Sequence, residues 1–110
     1  MDVKILQQGE KSIVCITGRL DTFSAPEFQD AMEKLIERGM SRIVLDFSNL
    51  EYLSSAGLRS TLIIAQKTKN ANGQVVCCEL KGLVKKVFEI SKFAQIVPTF
   101  DSLEDALERG

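Results

Sequence analysis

The sequence predicts a mixed α/β fold, a mainly parallel β-sheet opened by an antiparallel hairpin and covered by about four amphipathic helices. Three observations predict it. Two strand-like runs stand at the start with only Gly9-Glu10-Lys11 between them, a link that suits a hairpin. Each later strand-like run is followed by a segment of helical periodicity, an order that demands parallel pairing across right-handed crossovers. No low-complexity tract, repeat or linker rich in Pro or Gly interrupts the chain, so residues 1–110 are expected to form one domain.

The opening runs are Val3 to Gln7 and Ser12 to Thr17. A helical pattern spans Ser24 to Arg38, where Phe28, Ala31, Met32, Leu35 and Ile36 return to one face. Ser24 with Glu27 has the form of a capping box, Phe23 with Phe28 that of a hydrophobic staple, and Gly39 stands where helices commonly stop. Arg42 to Phe47 reads as the next strand. After a loop, a helix from about Ser55 to Asn70 carries Leu58, Thr61, Leu62 and Ala65 on one face. Lys67 and Lys69 lie near its negative end, and Asn72-Gly73 follows its stop. Gln74 to Glu79 is a strand, and Gly82 to Lys92 a helix expected to turn Leu83, Val84, Val87 and Phe88 inward. Ile96 to Phe100 is short and contains Pro98, which assigns it to a sheet edge. Ser102 to Arg109 closes the chain as a short helix with Leu103, Ala106 and Leu107 inward.

Composition narrows the function. A 45% hydrophobic and 26% charged chain of 110 residues can bury a core without metal or disulfide staples. The formal net charge of -1, from 14 Lys plus Arg and 15 Asp plus Glu, offers no field for capturing nucleic acid or anionic lipid, so neither DNA nor membrane binding is expected. No basic leader precedes a long apolar run, and no stretch of about 18 apolar residues occurs; a cytoplasmic protein is expected. Cys15 and the adjacent Cys77-Cys78 fall in apolar runs, and neighbours in a strand point to opposite faces. They read as small apolar residues of a reducing compartment rather than as a redox or metal pair. The chain has no histidine, so the usual general base for a nucleophile is missing. No GxxxxGK[ST] loop or GxGxxG turn is present either. Neither an enzyme nor a resident cofactor is expected.

The informative stretch is Val44 to Ser60, VLDFSNLEYLSSAGLRS, where a strand gives way to a loop and then to a helix that opens Ser54-Ser55-Ala56-Gly57. Either serine suits an N-cap. Capping does not explain Ala56-Gly57, because glycine in a first turn costs up to about 1 kcal/mol against alanine; close approach by another backbone would. A phosphate on such a serine meets free N–H groups and the positive end of the helix dipole, so the fold tolerates it. The same dianion disrupts any partner packed over Ala56 and Gly57. The pattern describes an interaction switch without a fold switch.

Three segments together resemble STAS domains, and in particular the stand-alone bacterial anti-sigma factor antagonists. They are Gly18-Arg19-Leu20-Asp21, Val44-Leu45-Asp46-Phe47 and Tyr52-Leu53-Ser54-Ser55-Ala56-Gly57-Leu58. The resemblance continues through the Asn72-Gly73-Gln74 turn and Val84 to Ser91. In that family the serine after an Asp position is phosphorylated; here it is Ser55, with Ser54 standing where the family often has Asp and forming the second candidate. The resemblance implies partner switching. The unmodified protein binds an anti-sigma factor that is also a serine kinase, freeing a sigma factor, and phosphorylation of Ser55 reverses this. The kinase supplies ATP and Mg²⁺, and a metal-dependent Ser/Thr phosphatase restores the binding form. The implied docking surface comprises Asp21, Thr22, Ser24, Tyr52, Ser54, Ser55, Ala56, Gly57, Leu58 and Arg59, with Asp21 near Ser55. Taken alone, Asp21 also suits a turn, Tyr52 a core edge and Arg59 a solvated helix face. Other readings are a STAS module in a stressosome-like scaffold, a chemotaxis or secretion switch or a transporter partner, a small serine-dependent enzyme, or a nucleotide-binding domain.

Overall fold

The computed structural model describes all 110 residues, Met1 to Gly110. Strands β1 (Asp2–Gln8) and β2 (Lys11–Leu20) form the expected antiparallel hairpin, with Gln8 opposite Lys11 across the turn. Then come helix α1 (Ala25–Glu37), β3 (Arg42–Asp46), β4 (Leu50–Leu53), α2 (Ser55–Asn70), β5 (Gln74–Cys78), α3 (Gly82–Ile90), β6 (Thr99–Phe100) and α4 (Leu103–Arg109). The sheet order is β1-β2-β3-β5-β6, and every pairing beyond the hairpin is parallel.

Alternation along the strands builds two unequal layers. Val14 and Ile16 of β2, Ile43 and Leu45 of β3, and Val75 and Cys77 of β5 face one side. There they meet Phe28, Met32 and Leu35 of α1, Ile64 of α2, and Val84 and Phe88 of α3. Phe88 is packed edge-on between Phe47 and Phe93, with ring centroids 5.9 and 4.9 Å away. The residues between these in the strands, Val44, Val76 and Cys78, face the other side and are covered by Ala106 of α4, flanked by Leu103 and Leu107. Cys77 and Cys78 thus sit on opposite faces, as their adjacency requires. Burial pushes both thiols up, Cys78 to about 12, so each is a protonated apolar group at neutral pH. Cys15, by contrast, lies nearer the surface. It is half-buried, and its thiol donates to Asp46 Oδ2 at 3.6 Å.

Several expectations from sequence are corrected. The loop after Phe47 contains β4, which pairs parallel with Gly18–Leu20, the far half of a β2 that runs three residues beyond Thr17. Gly18, at φ +97°, stands where the register shifts, and so lets one strand pair first with β3 and then with β4. The Ser24–Glu27 capping box does not form, because the Ser24 hydroxyl is occupied by Arg19 and Asp21. No staple forms either, since Phe23 is 94% exposed while Phe28 is fully buried. Leu62 and Leu83 are exposed rather than inward; on α3, Val84 and Phe88 are buried and Val87 packs half-buried against the same core, as expected, while Leu83 stands about a quarter-turn from Val84. That helix ends at Ile90, and Phe93–Gln95 forms a 3₁₀ turn. Only Thr99–Phe100 of the predicted last strand pairs, at the expected edge.

Candidate functional site

The carboxyl end of β2, the end of β4 and the start of α2 converge on one backbone bond, Ser54 N–H donating to Leu20 C=O at 3.0 Å. Leu20 and Leu53 are register partners and both are buried, so this corner is fixed by apolar packing as well as by hydrogen bonding. The helix then starts immediately. Ser54 is its N-cap, extended at φ -89° and ψ 172°, and its hydroxyl accepts from Gly57 N–H at 3.2 Å. Ser55 is the first helical residue; it is exposed and takes no part in the cap.

Gly57 answers the question its position raises. A Cβ built there would lie 2.5 Å from Leu20 carbonyl oxygen and 2.8 Å from Leu20 Cγ. The first turn of α2 therefore rests directly on the backbone of β2, and only glycine permits it. One turn on, the Thr61 hydroxyl donates to Gly57 C=O at 3.0 Å inside the core, where the helix passes over the sheet.

Asp21 is the hub of a tight turn before α1. Its Oδ1 accepts from the Phe23 and Ser24 N–H groups at 3.0 and 3.1 Å, while Asp21 N–H donates to Ser24 Oγ at 2.9 Å. This reciprocal pair is the capping box of the segment, three residues earlier than the one read from sequence. Ser24 Oγ also donates to Arg19 C=O at 2.7 Å. The Ser24 N–H holds the Asp21 carboxyl below its usual range, helped by Phe23 N–H and by the Arg19 guanidinium, whose Nε lies 3.6 Å from Oδ2. Arg19 also lies over the Tyr52 ring, 4.1 Å from its centroid, its register partner across β2 and β4.

These contacts bring most of the predicted site together. Asp21 and Ser55 each lie one residue beyond the Leu20–Ser54 bond, with Thr22 exposed and Ser24 half-buried in the turn alongside. Tyr52 is exposed at the strand end. Ala56 and Leu58 are half-buried in the first turn of α2, and Arg59 is exposed one turn above Ser55. Gly57 is buried beneath them, a support rather than a contact surface. Sequence reasoning missed Arg19, whose link to Tyr52 depends on the unrecognised β4. It also missed Leu83 and Val87 of α3, which with Tyr52, Leu53, Ser54 and Ser55 line a groove beside the serine.

Comparison with known proteins settles the family. The STAS domain model matches residues 2–106. The chain belongs to the STAS domain family. A relative from Bordetella bronchiseptica, the candidate anti-sigma factor antagonist BtrV, is 39% identical over 94 residues, covering 86% of this chain and 81% of its own. Among solved structures, a candidate anti-sigma factor antagonist from Thermotoga maritima superposes with a TM-score of 0.91 over 96% of this STAS chain and 92% of its own, at 19% identity. The anti-sigma factor antagonist SpoIIAA in its unphosphorylated form gives 0.76 over 98% and 96%, at 18% identity. At such identities these structures establish the STAS fold alone.

Proposed function

We propose that this STAS domain is an anti-sigma factor antagonist whose docking surface is switched by phosphorylation of Ser55. The observation that carries the reading is the division of labour between the two serines. Ser54 is committed to the cap, whereas Ser55 is exposed at the first helical position with nothing structural depending on its hydroxyl. The name of the relative at 39% identity supports the regulatory role, and SpoIIAA, of the same fold, is known in a phosphorylated form.

In this reading the unmodified protein binds an anti-sigma factor that is also a serine kinase, and the sigma factor is released. The kinase, holding ATP and Mg²⁺, transfers the γ-phosphoryl group to Ser55 Oγ, leaving ADP and a proton. The dianion gains the free N–H groups of the first turn and the helix dipole, so α2 keeps its place. A partner packed against Tyr52, Ala56 and Arg59 meets added bulk and charge and dissociates. A metal-dependent Ser/Thr phosphatase restores the binding form. This domain is substrate and ligand, not catalyst.

The test starts with the Ser55→Ala protein as bait in its host, followed by identification of the retained kinase-like protein and phosphorylation of the wild type with it. The expected result is phosphate on Ser55, not Ser54, and capture by the wild-type and Ser55→Ala forms but not by Ser55→Asp. Equal capture by all three forms would refute the switch.

A further inference from the structure

The structure assigns a second half to this docking surface, on α3. Helix α3 buries Val84 and Phe88, and Leu83, Val87 and Ile90 recur at i, i+4 and i+7 as a stripe along one side, half-buried at Val87, which also packs against the core, and exposed at both ends. Leu83 is 68% exposed and Ile90 81%, an uncommon cost for aliphatic side chains within two turns of each other. The stripe leads out of the Ser55 groove, because Leu83 and Val87 form one wall of it and Tyr52, Ser54 and Ser55 the other. Lys86 stands one turn from both Leu83 and Ile90, is exposed and enters no ion pair; Lys85, two residues on from Leu83, lies on the opposite side of the helix. Glu89 is the one acidic residue of α3.

The occupant that fits is a protein surface carrying apolar side chains rimmed by carboxylates. This rests on the reading above and makes that surface part of the anti-sigma factor. It also explains how one phosphate acts over a whole interface. A dianion on Ser55 enters the groove from which the stripe leads and repels the carboxylates that rim the partner's apolar side chains. An anionic membrane is the less suited occupant, since the stripe runs into a groove and the molecule carries a net charge of -1.

Titration calorimetry with the anti-sigma factor captured on Ser55→Ala tests it, at low and at moderate salt. Leu83→Ser and Lys86→Glu, both surface changes, are expected to keep the wild-type melting temperature and to weaken binding tenfold or more. For Lys86→Glu the difference should shrink as salt rises. Affinities within twofold of wild type for both variants, with Ser55→Asp still unable to bind, overturn the α3 surface and leave the Ser55 switch standing. Failure of Ser55 changes to alter binding overturns the switch itself. Flotation with phosphatidylglycerol vesicles that is lost in Leu83→Ser, at unchanged anti-sigma affinity, reassigns the stripe to a membrane.

Discussion

Ser54, with its extended ψ of 172°, turns its hydroxyl back onto Gly57 N–H, whereas Ser55 has already entered the helix and stands in solvent. The two serines should therefore respond differently to the same substitution. Ser54→Ala is expected to lower unfolding free energy by about 1 kcal/mol, the usual loss for a cap, and Ser55→Ala to stay within about 0.5 kcal/mol of wild type. Urea unfolding of the two proteins side by side checks this. Gly57→Ala is a harsher change, since its methyl group would sit 2.5 Å from a backbone oxygen that cannot move without shifting β2. A loss of about 1–3 kcal/mol is expected, typical of overpacking. Asp21 gives a pH signature. Its carboxyl is held below the ordinary value, first by Ser24 N–H and then by Phe23 N–H and Arg19. A depressed folded-state pKa means stability present above the unfolded value of about 3.9 and lost as pH falls below it through the folded value. Melting temperature against pH should thus fall less steeply in that acidic window for Asp21→Asn than for wild type.

At the scale of elements, the corner made by β2, β4 and α2 is what holds Ser55 in position. Leu53 is buried there, opposite Leu20 and against the first turn of α2. Leu53→Ala is expected to cost about 2–4 kcal/mol, and calorimetric melting measures it. The same corner shows where the sequence was legible and where it was not. Ala25–Glu37 declared itself, because a sheet-covering helix must repeat its apolar side chains at its own period; Ser55–Asn70 was legible in its bounds but not in its buried face, which is Gly57, Ser60, Thr61, Ile64 and Thr68 rather than a run of apolar residues. The serine motif was legible too, and Gly57 signalled the close backbone approach that Leu20 supplies. Strand β4 was not, because its four residues bury only the two ends, Leu50 and Leu53, and its partner is reached through a bulge at Gly18. Alternation over four residues carries too little information to compete with a loop. The Asp21–Ser24 box was misread for a different reason. Ser24 satisfies both capping patterns on paper, but its backbone is already helical (φ -92°, ψ -17°) and its hydroxyl accepts from Asp21 N–H instead of capping α1. The exposed stripe of α3 escaped notice because apolar residues around a short helix look alike until the packing shows that Val84 and Phe88 are buried while Leu83 and Ile90 are exposed.

For the whole molecule, the proposed switch demands that charge at Ser55 change what the surface binds while leaving the core untouched. Each contact that defines the corner is made by another residue: the cap by Ser54, the backbone bond by Leu20, the close approach by Gly57 and the turn by Asp21 and Ser24. A negative group at the first position of α2 also faces the positive end of a 16-residue helix whose first turn holds no acidic residue, where it stabilises by about 0.3–1 kcal/mol. Ser55→Asp is therefore expected to melt at the wild-type temperature or as much as about 5 °C above it. Its amide NMR shifts should move only around Asp21–Ser24, Tyr52–Arg59 and the start of α3. Under the proposed function this same protein fails to bind the anti-sigma factor, so loss of binding accompanies equal or higher stability. A fall in melting temperature of more than a few degrees, or shift changes spreading through β3 and β5, would mean that the modification acts by loosening the fold, and the separation of surface from core would have to be abandoned.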